Sequence, residues 1–338
     1  MSTQISERSA EPGLPLVSVI LPILNEEPYL RSSVEAILSQ DYLGNCEVVL
    51  AVGPSRDRTM EIALELSQRD SRIIVVENPS GKTAAGLNLA LQRSSGSVIV
   101  RVDGHAEIPS DYISIAVELL RQTGAVNVGG VMAAEGVTRF EKSVAGAMRS
   151  PLGVGASRFH TGGEAGEVDT VYLGVFQREA LIDVGGFDER FTRAQDWELN
   201  FRLRSRGGKI FFDPRLQVRY RPRPNLGALA RQYFEYGRWR RVVSRRHQGT
   251  INYRYLAPPL ALFFFSLSIA GGVAIHPVLF LPAAIYLIFV ALASIRIASK
   301  IAASFIQYLY LLAIIPTMHF SWGAGFITSP KRLVPSGS

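Results

Sequence analysis

Val17-Ser-Val-Ile-Leu-Pro-Ile-Leu24 is a short apolar run that stops at Asn25, Glu26 and Glu27. A run of this length, bounded by polar residues, predicts a buried strand of a parallel sheet followed by a loop. The pattern recurs downstream. Helical spacing over Leu30 to Leu38 leads to a second run, Glu47-Val-Val-Leu-Ala-Val-Gly53, closed by Gly53-Pro54. A helix over Arg58 to Gln68, a third strand over Arg72 to Glu77 and an Ala- and Leu-rich helix over Thr83 to Arg93 follow. A fourth strand, Ser97-Val-Ile-Val-Arg-Val102, runs straight into Asp103. Strands alternating with helices at this spacing predict an α/β fold, a mostly parallel sheet with helices on both faces. Ligands of such sheets sit at the carboxyl ends of the strands, so Asn25, Glu26, Gly53, Asp57 and Asp103 are expected to line one crevice.

Beyond this frame the pattern weakens. Residues 110–190 read as less regular, with mobile Gly-rich loops between Gly153 and Gly166 and a turn at Gly185-Gly186-Phe187-Asp188. A helix is expected from about Asp196 to Ser205 and a late strand over Lys209 to Phe212. From Leu256 the composition changes. Leu256 to Ile275, Val278 to Ile295 and Ile301 to Trp322 each lack a charged residue. Each is long enough to cross about 30 Å of hydrocarbon as a helix; a buried hairpin of a soluble protein is the alternative. His276-Pro277 makes the turn between the first two, and Arg296 and Lys300 separate the second from the third. Pro316, His319 and Gly323 interrupt the third, and Lys331 and Arg332 follow it, so two or three spans are expected.

The organisation read from the chain is a flexible N-terminus over 1–15, an α/β domain over 16–225, a basic interfacial helix region over 226–254, a membrane region of two or three helices over 255–330 and a tail over 331–338. The last six residues, from Leu333, resemble a cloning remnant. Met1 to Leu14 has no apolar core and does not read as a signal peptide. The single cysteine, Cys46, excludes an intrachain disulfide. Net charge is +7, which is compatible with nucleic acid, phosphate groups or anionic lipid. Eleven arginines between Arg215 and Arg254, just before the first apolar stretch, point to lipid and a cytoplasmic-side flank rather than nucleic acid.

Three constellations carry chemistry. In Arg101-Val-Asp103-Gly-His105, a carboxylate at a strand end with a second ligand two residues on can hold a divalent cation that neutralises a diphosphate; a loop-capping Asp beside a surface His is the alternative. In Gln195-Asp196-Trp-Glu198, the two carboxylates open a helix, where its dipole favours them; Asp196 can equally serve as a general base toward a hydroxyl. In Gln232-Tyr-Phe-Glu-Tyr236-Gly-Arg238-Trp239, Arg238 can grip a diphosphate and Trp239 can stack on a sugar or anchor an interfacial helix. Ser80-Gly81-Lys82-Thr83 is not a P-loop, because Val76 stands where the motif needs glycine.

Taken with Gly53-Pro-Ser-Arg-Asp-Arg-Thr59, Gly81-Lys-Thr-Ala-Ala-Gly-Leu-Asn88 and Gly185-Gly-Phe-Asp-Glu189, these segments resemble glycosyltransferase family 2. These are inverting enzymes of the GT-A fold, and the likeness is greatest to bacterial exopolysaccharide glucosyltransferases of the succinoglycan-biosynthesis type. The resemblance implies a donor site bordered by Pro22, Asn25, Glu26, Asp57, Lys82, Arg101 and Asp103. It implies Asp196 as catalytic base, Gln195, Arg238 and Trp239 toward the acceptor or diphosphate, and Mn2+ or Mg2+ at Asp103 with His105. The sequence departs from the family pattern in carrying His105 in place of the second Asp of D-x-D, Gly53 near the position of a uracil-binding Asp, and a longer Gln232-to-Arg238 spacing than Q-x-x-R-W.

The expected activity is transfer of a hexose from a nucleotide sugar, a UDP-hexose, to a hydroxyl of a lipid-linked saccharide in cell-surface polysaccharide synthesis. The expected place is the inner or plasma membrane, with the catalytic domain cytoplasmic and membrane lipids as partners. Two rivals remain: a polyprenyl-phosphate glycosyl synthase, and a catalytically dead membrane scaffold or carrier subunit.

Overall fold

The computed structural model describes residues 13–251 and 253–333. Most of the expected N-terminal arm (1–15) and the end of the tail (331–338) lie outside the described residues. The elements run β1 (Val17–Ile23), α1 (Leu30–Leu38), β2 (Cys46–Val52), α2 (Thr59–Arg69), β3 (Ile73–Glu77), α3 (Thr83–Arg93), β4 (Val98–Arg101) and α4 (Tyr112–Thr123). Then come β5 (Asn127–Ala134), α5 (Arg139–Met148), α6 (Pro151–Val154), α7 (Arg158–Thr161), β6 (Gly166–Glu167), β7 (Tyr172–Gln177), α8 (Arg178–Asp183), α9 (Gln195–Ser205) and β8 (Ile210–Tyr220). The chain ends with four long helices, α10 (Leu226–Arg246), α11 (Tyr253–Ala274), α12 (Leu281–Lys300) and α13 (Phe305–Thr328). Two compact units divide them. One runs to Met132 and resumes over Gly163–Arg219; the other joins Ala133–Gly162 to the chain from Tyr220 onward.

In the first unit the strands are ordered β3-β2-β1-β4-β7-β5-β8-β6. The first four pair in parallel, and β7 joins antiparallel to both β4 and β5. Alternation along each strand sends side chains to opposite faces. Val17, Val19, Leu21 and Ile23 of β1 enter one core with α1, α2 and α4, while Ile20 joins Val49 and Ala51 in a second core with α3 and α9. Helix α1 supplies Leu30, Val34 and Ile37 at helical spacing. Each such buried side chain contributes about 1.5–3 kcal/mol. This is the expected α/β frame, with strands and helices over residues 17–101 within one or two residues of their sequence-derived limits.

Two readings need correction. Residues 110–190 are ordered into α4, β5, α5 to α8, β6 and β7. The late strand is eleven residues long rather than four, continuing past Pro214 to Tyr220. Leu216, Val218 and Tyr220 are buried and alternate with the exposed Arg215, Gln217 and Arg219, a half-buried strand. The arginines from Arg215 onward are therefore not one lipid-facing set: Arg215 pairs with Asp213, Arg219 with Glu107, Arg221 with Glu141 and Arg238 with Glu235.

In the second unit α11, α12 and α13 are long and apolar enough to cross a membrane. Each is offset from its charge-free run, passing it at one end and stopping short at the other, and Ser304 and Gln307 form a capping box at the start of α13. Helices α10 and α13 touch backbone to backbone. A Cβ added at Gly237 would lie 1.9 Å from Trp322 O, and one added at Gly325 would lie 1.9 Å from Phe234 O.

Candidate active site

The carboxyl ends of β1, β2 and β4 open onto loops that are tied to one another. Asn25, held at φ 56°, accepts from Arg56 N through Oδ1 (2.8 Å), and its own N–H is donated to Ser55 Oγ (3.0 Å). Glu26 N donates to Thr59 Oγ1 and Glu27 N to Asp57 Oδ2. Asp57 also accepts from the backbone N–H of Thr59 (3.1 Å) and from its hydroxyl. Burial pushes the Asp57 carboxyl up, but the hydrogen bonds from Thr59 and Glu27 outweigh it and hold it below the usual range. Asp57 thus organises the β1 and β2 loops. Gly53 sits where its Cβ would meet Gly81 Cα at 3.2 Å, so the β2 and β3 loops approach closely at a position where a side chain would be tightly packed. Lys82 is exposed at the start of α3, and its ammonium has no partner among the described residues.

Strand β4 ends at Arg101, and Asp103 follows it by two residues. Arg101 is buried and donates from one terminal nitrogen to Asp103 Oδ1 (3.0 Å) and from the other to Asp196 Oδ1. Asp103 and Asp196 keep 23% and 28% of their side-chain surface exposed, against 5% for Arg101. Helix α9 positions Asp196 in its first turn, behind Ala194 at φ 59°. Arg101, Asp103 and Asp196, read separately from the sequence, therefore meet at one guanidinium. His105 Nδ1 lies 2.9 Å from Glu26 Oε1, and a Cβ at Gly104 would meet Glu26 Cγ at 2.8 Å, which seats the β4 loop on the β1 loop.

Gln195 and Glu198 are buried. Glu198 faces away from Asp196: it pairs with Arg202, which also donates to Val184 O and Gly186 O. Asn88, to which sequence reasoning gave no role, holds the same turn from α3. Its amide donates to Phe187 O (2.8 Å) and Glu189 Oε1 (2.9 Å), and its Oδ1 accepts from Phe187 N (2.8 Å). Gly186, at φ 70°, leaves the room for this contact. The signal in the sequence was an amide in a helix with a double glycine nearly a hundred residues on, which has no local signature.

Pro22 is in β1, paired with Ala51. Arg238 and Trp239 belong to the second unit. Both donate to Glu235, and Trp239 is buried, so its ring is closed to stacking in this conformation.

A divalent ion fits this donor set in a restricted way. Oδ1 of Asp103 is taken by Arg101, while Oδ2 forms no hydrogen bond among the described residues. No group of three His, Cys, Asp or Glu side chains able to hold a metal is formed among the described residues. That suits an ion held by one carboxylate together with substrate phosphates, not an all-protein cage.

Comparisons with known proteins identify the family and the fold. The model of the family described as glycosyl transferase family 2 matches residues 18–185. The succinoglycan biosynthesis protein ExoA of Rhizobium meliloti is 33% identical over 316 residues, covering 91% of this chain and 93% of that protein. A Methanococcus voltae dolichyl N-acetyl-glucosaminyl phosphate glucuronosyltransferase is 24% identical, with 84% and 88% covered. Among solved structures, the mannosyltransferase PcManGT from Pyrobaculum calidifontis, in complex with GDP-Man and Mn2+, superposes with a TM-score of 0.59 at 20% identity, over 96% of this chain and 89% of that one. The mostly parallel sheet with its helices is the GT-A arrangement. With a relative of this identity along nine-tenths of its length, the chain belongs to glycosyl transferase family 2.

Proposed function

We propose that the chain is an inverting hexosyltransferase that moves a sugar from a nucleotide diphosphate donor, a UDP-hexose, to a hydroxyl of a polyprenyl-linked saccharide in the synthesis of a cell-surface polysaccharide. The observation that carries this reading is the Arg101 guanidinium bridging Asp103 and Asp196. It fixes a partly exposed carboxylate at a helix start next to the carboxylate that would face the donor's diphosphate. Asp196 takes the proton of the acceptor hydroxyl as that oxygen attacks the anomeric carbon and the nucleotide diphosphate leaves from the opposite side. One displacement inverts the centre. Arg101 positions the two carboxylates through its terminal nitrogens at the border of the donor site.

Asp103 would hold Mn2+ or Mg2+ together with the donor phosphates, with the Glu26–His105 pair beside it. When bound, such an ion neutralises charge on the leaving group. Lys82, exposed and unpaired among the described residues, adds a cation suited to a donor phosphate. The lipid-linked acceptor is supported by the three apolar helices and by the dolichyl-linked acceptor named for the Methanococcus voltae relative.

A screen of nucleotide sugars against the purified chain with Mn2+ or Mg2+, reading released UDP or GDP with a lipid-linked saccharide present, tests the reading. Release from no nucleotide sugar would reject it and favour a scaffold. Transfer that survives Asp196→Asn and uses polyprenyl phosphate would favour the synthase, whose nucleophile is already anionic.

A further inference from the structure

We infer that two of the three apolar helices cross the bilayer, and that α13 lies flat in the headgroup layer across the base of the α11–α12 hairpin, docking the second unit on an anionic lipid leaflet. This stands on packing within the second unit and does not depend on the catalytic reading.

The hairpin and α13 are packed differently. Helices α11 and α12 meet the polar helices at their base: Arg254 donates to Ala156 O, and Gly146 of α5 faces Ile297 and Ile301. Their far end projects, with Val273 and Ile275 77% and 80% exposed. Twenty-two residues of α11 span roughly 33 Å, enough for the hydrocarbon.

Helix α13 crosses the hairpin through Gly323 against Pro258 and Phe320 against Phe265 and Tyr286, and it is also held along its length by charged helices. Near its start, Gln307 O accepts from Ser143 of α5, and Tyr310 packs edge-on to Phe140 at 5.5 Å. In the middle, His319 Nε2 is 3.1 Å from Leu152 O. Toward its end it meets α10 at Gly237 and Gly325; Phe326 lies under the Arg241 guanidinium, and Ser329 O accepts from Arg245. Helix α5 carries Arg139, Glu141 and Lys142, and α10 carries six arginines between Arg231 and Arg246. A membrane-crossing α13 would draw these charges through hydrocarbon, where ionised side chains are strongly disfavoured.

Its other face completes the picture. Phe305, Ile306, Leu309 and Ala313 in its first half and Ile327 at its end are exposed, apolar positions suited to the acyl boundary. Basic residues bracket the helix at both ends, Arg296 and Lys300 before it and Lys331 and Arg332 after it. Tyr255 to Ile295, which includes the hairpin tip, contains no Asp, Glu, Lys or Arg. Cations gathered at one end of a hairpin mark the side of the anionic leaflet.

Single cysteines placed in the full-length Cys46→Ser chain test this in sealed vesicles of known orientation, with a membrane-impermeant maleimide. Gln248→Cys and Arg332→Cys are expected to label from one side and His276→Cys from the other. Labelling of Arg332→Cys from the His276 side overturns the inference. A depth measurement supports the same decision in vesicles containing phosphatidylglycerol. Fluorophores on Ile306→Cys, Ala313→Cys and Ile327→Cys are expected to be quenched equally, and best, by lipids with a nitroxide high on the acyl chain. Deep quenching of Ala313 with shallow quenching of both ends overturns it.

Discussion

Arg101 and Asp196 are 95 residues apart in sequence, yet the guanidinium of one meets the carboxylate of the other, while the same guanidinium holds Asp103 at 3.0 Å. Two acidic groups with different proposed duties, one toward the acceptor and one toward the donor, are thereby set by a single buried cation. Arg101→Lys keeps the charge but loses the planar fork that reaches both partners. Arg101→Met leaves two carboxylates facing each other. Breaking a fully buried pair costs about 3–5 kcal/mol, and the partial exposure of both carboxylates points to the low end. Initial-rate kinetics are expected to show transfer lowered by roughly a hundredfold in the Met variant and less in the Lys variant. Wild-type kcat and KM in Arg101→Met would show that the bridge is dispensable.

Asp196→Asn preserves shape and removes the base. Transfer is expected to fall by about a hundredfold or more, with donor affinity, read by calorimetric titration, nearly unchanged. Glu198→Gln is expected to behave differently, because Glu198 is buried against Arg202 and braces the Gly185–Gly186 turn. It should lower the melting temperature while transfer by the folded fraction stays close to wild type. Equal kinetic damage from both substitutions would contradict this division.

Activity is expected to vanish in EDTA and return with Mn2+ or Mg2+. Asp103→Ala should reduce turnover at least about a hundredfold if an ion there supplies several kcal/mol of leaving-group stabilisation. Full turnover in EDTA would remove the ion from the reaction.

Glu141 of α5 closes a capping box with Thr138 and pairs with Arg221. Burial pushes its carboxyl up, but bonds from the Thr138 backbone and Arg221 outweigh it and hold it below the usual range. A depressed value means the stabilisation is full above the ordinary glutamate value of about 4.3 and lost as pH falls through the lower folded value. Glu141→Ala is expected to lose about 1–2 kcal/mol at neutral pH, with the gap to wild type closing in acid. Glu141→Gln, which can keep the cap, should lose less. Denaturant melts in detergent at pH 7 and pH 3 read the difference; a gap that does not change with pH would contradict it.

The parallel half of the first unit was legible because β1, β2 and β4 are apolar runs ended by Asn25, Gly53 and Asp103, β3 is one ended by Glu77, and each intervening helix shows its period. Strands β5 and β7 were not, because close backbone approach demands glycines that weaken strand character. A Cβ at Gly130 would lie 1.8 Å from Leu216 O, and one at Gly174 would lie 2.3 Å from Asn127 Oδ1. In β8 the alternation was present, but two of its exposed positions, Arg215 and Arg219, are arginines that read as part of a basic run. The candidate site was legible as separate residues. Its assembly was not, since the meeting of Arg101 with Asp196 and of Asn88 with Phe187 is set by strand order, which no local pattern states.

The division of the second unit along the chain has a consequence for biogenesis. Helix α5 leaves the ribosome about 160 residues before α13, the helix that Phe140 and Ser143 pack against. At roughly 5–20 residues per second, the apolar side of α5, with Val144, Ala147 and Met148, waits about 8–30 s for its cover. The α11–α12 hairpin is translated within that interval, so its delivery to the insertion machinery precedes closure of the second unit. Nascent chains arrested before residue 305 are therefore expected to be held by chaperones, and release should follow the emergence of α13.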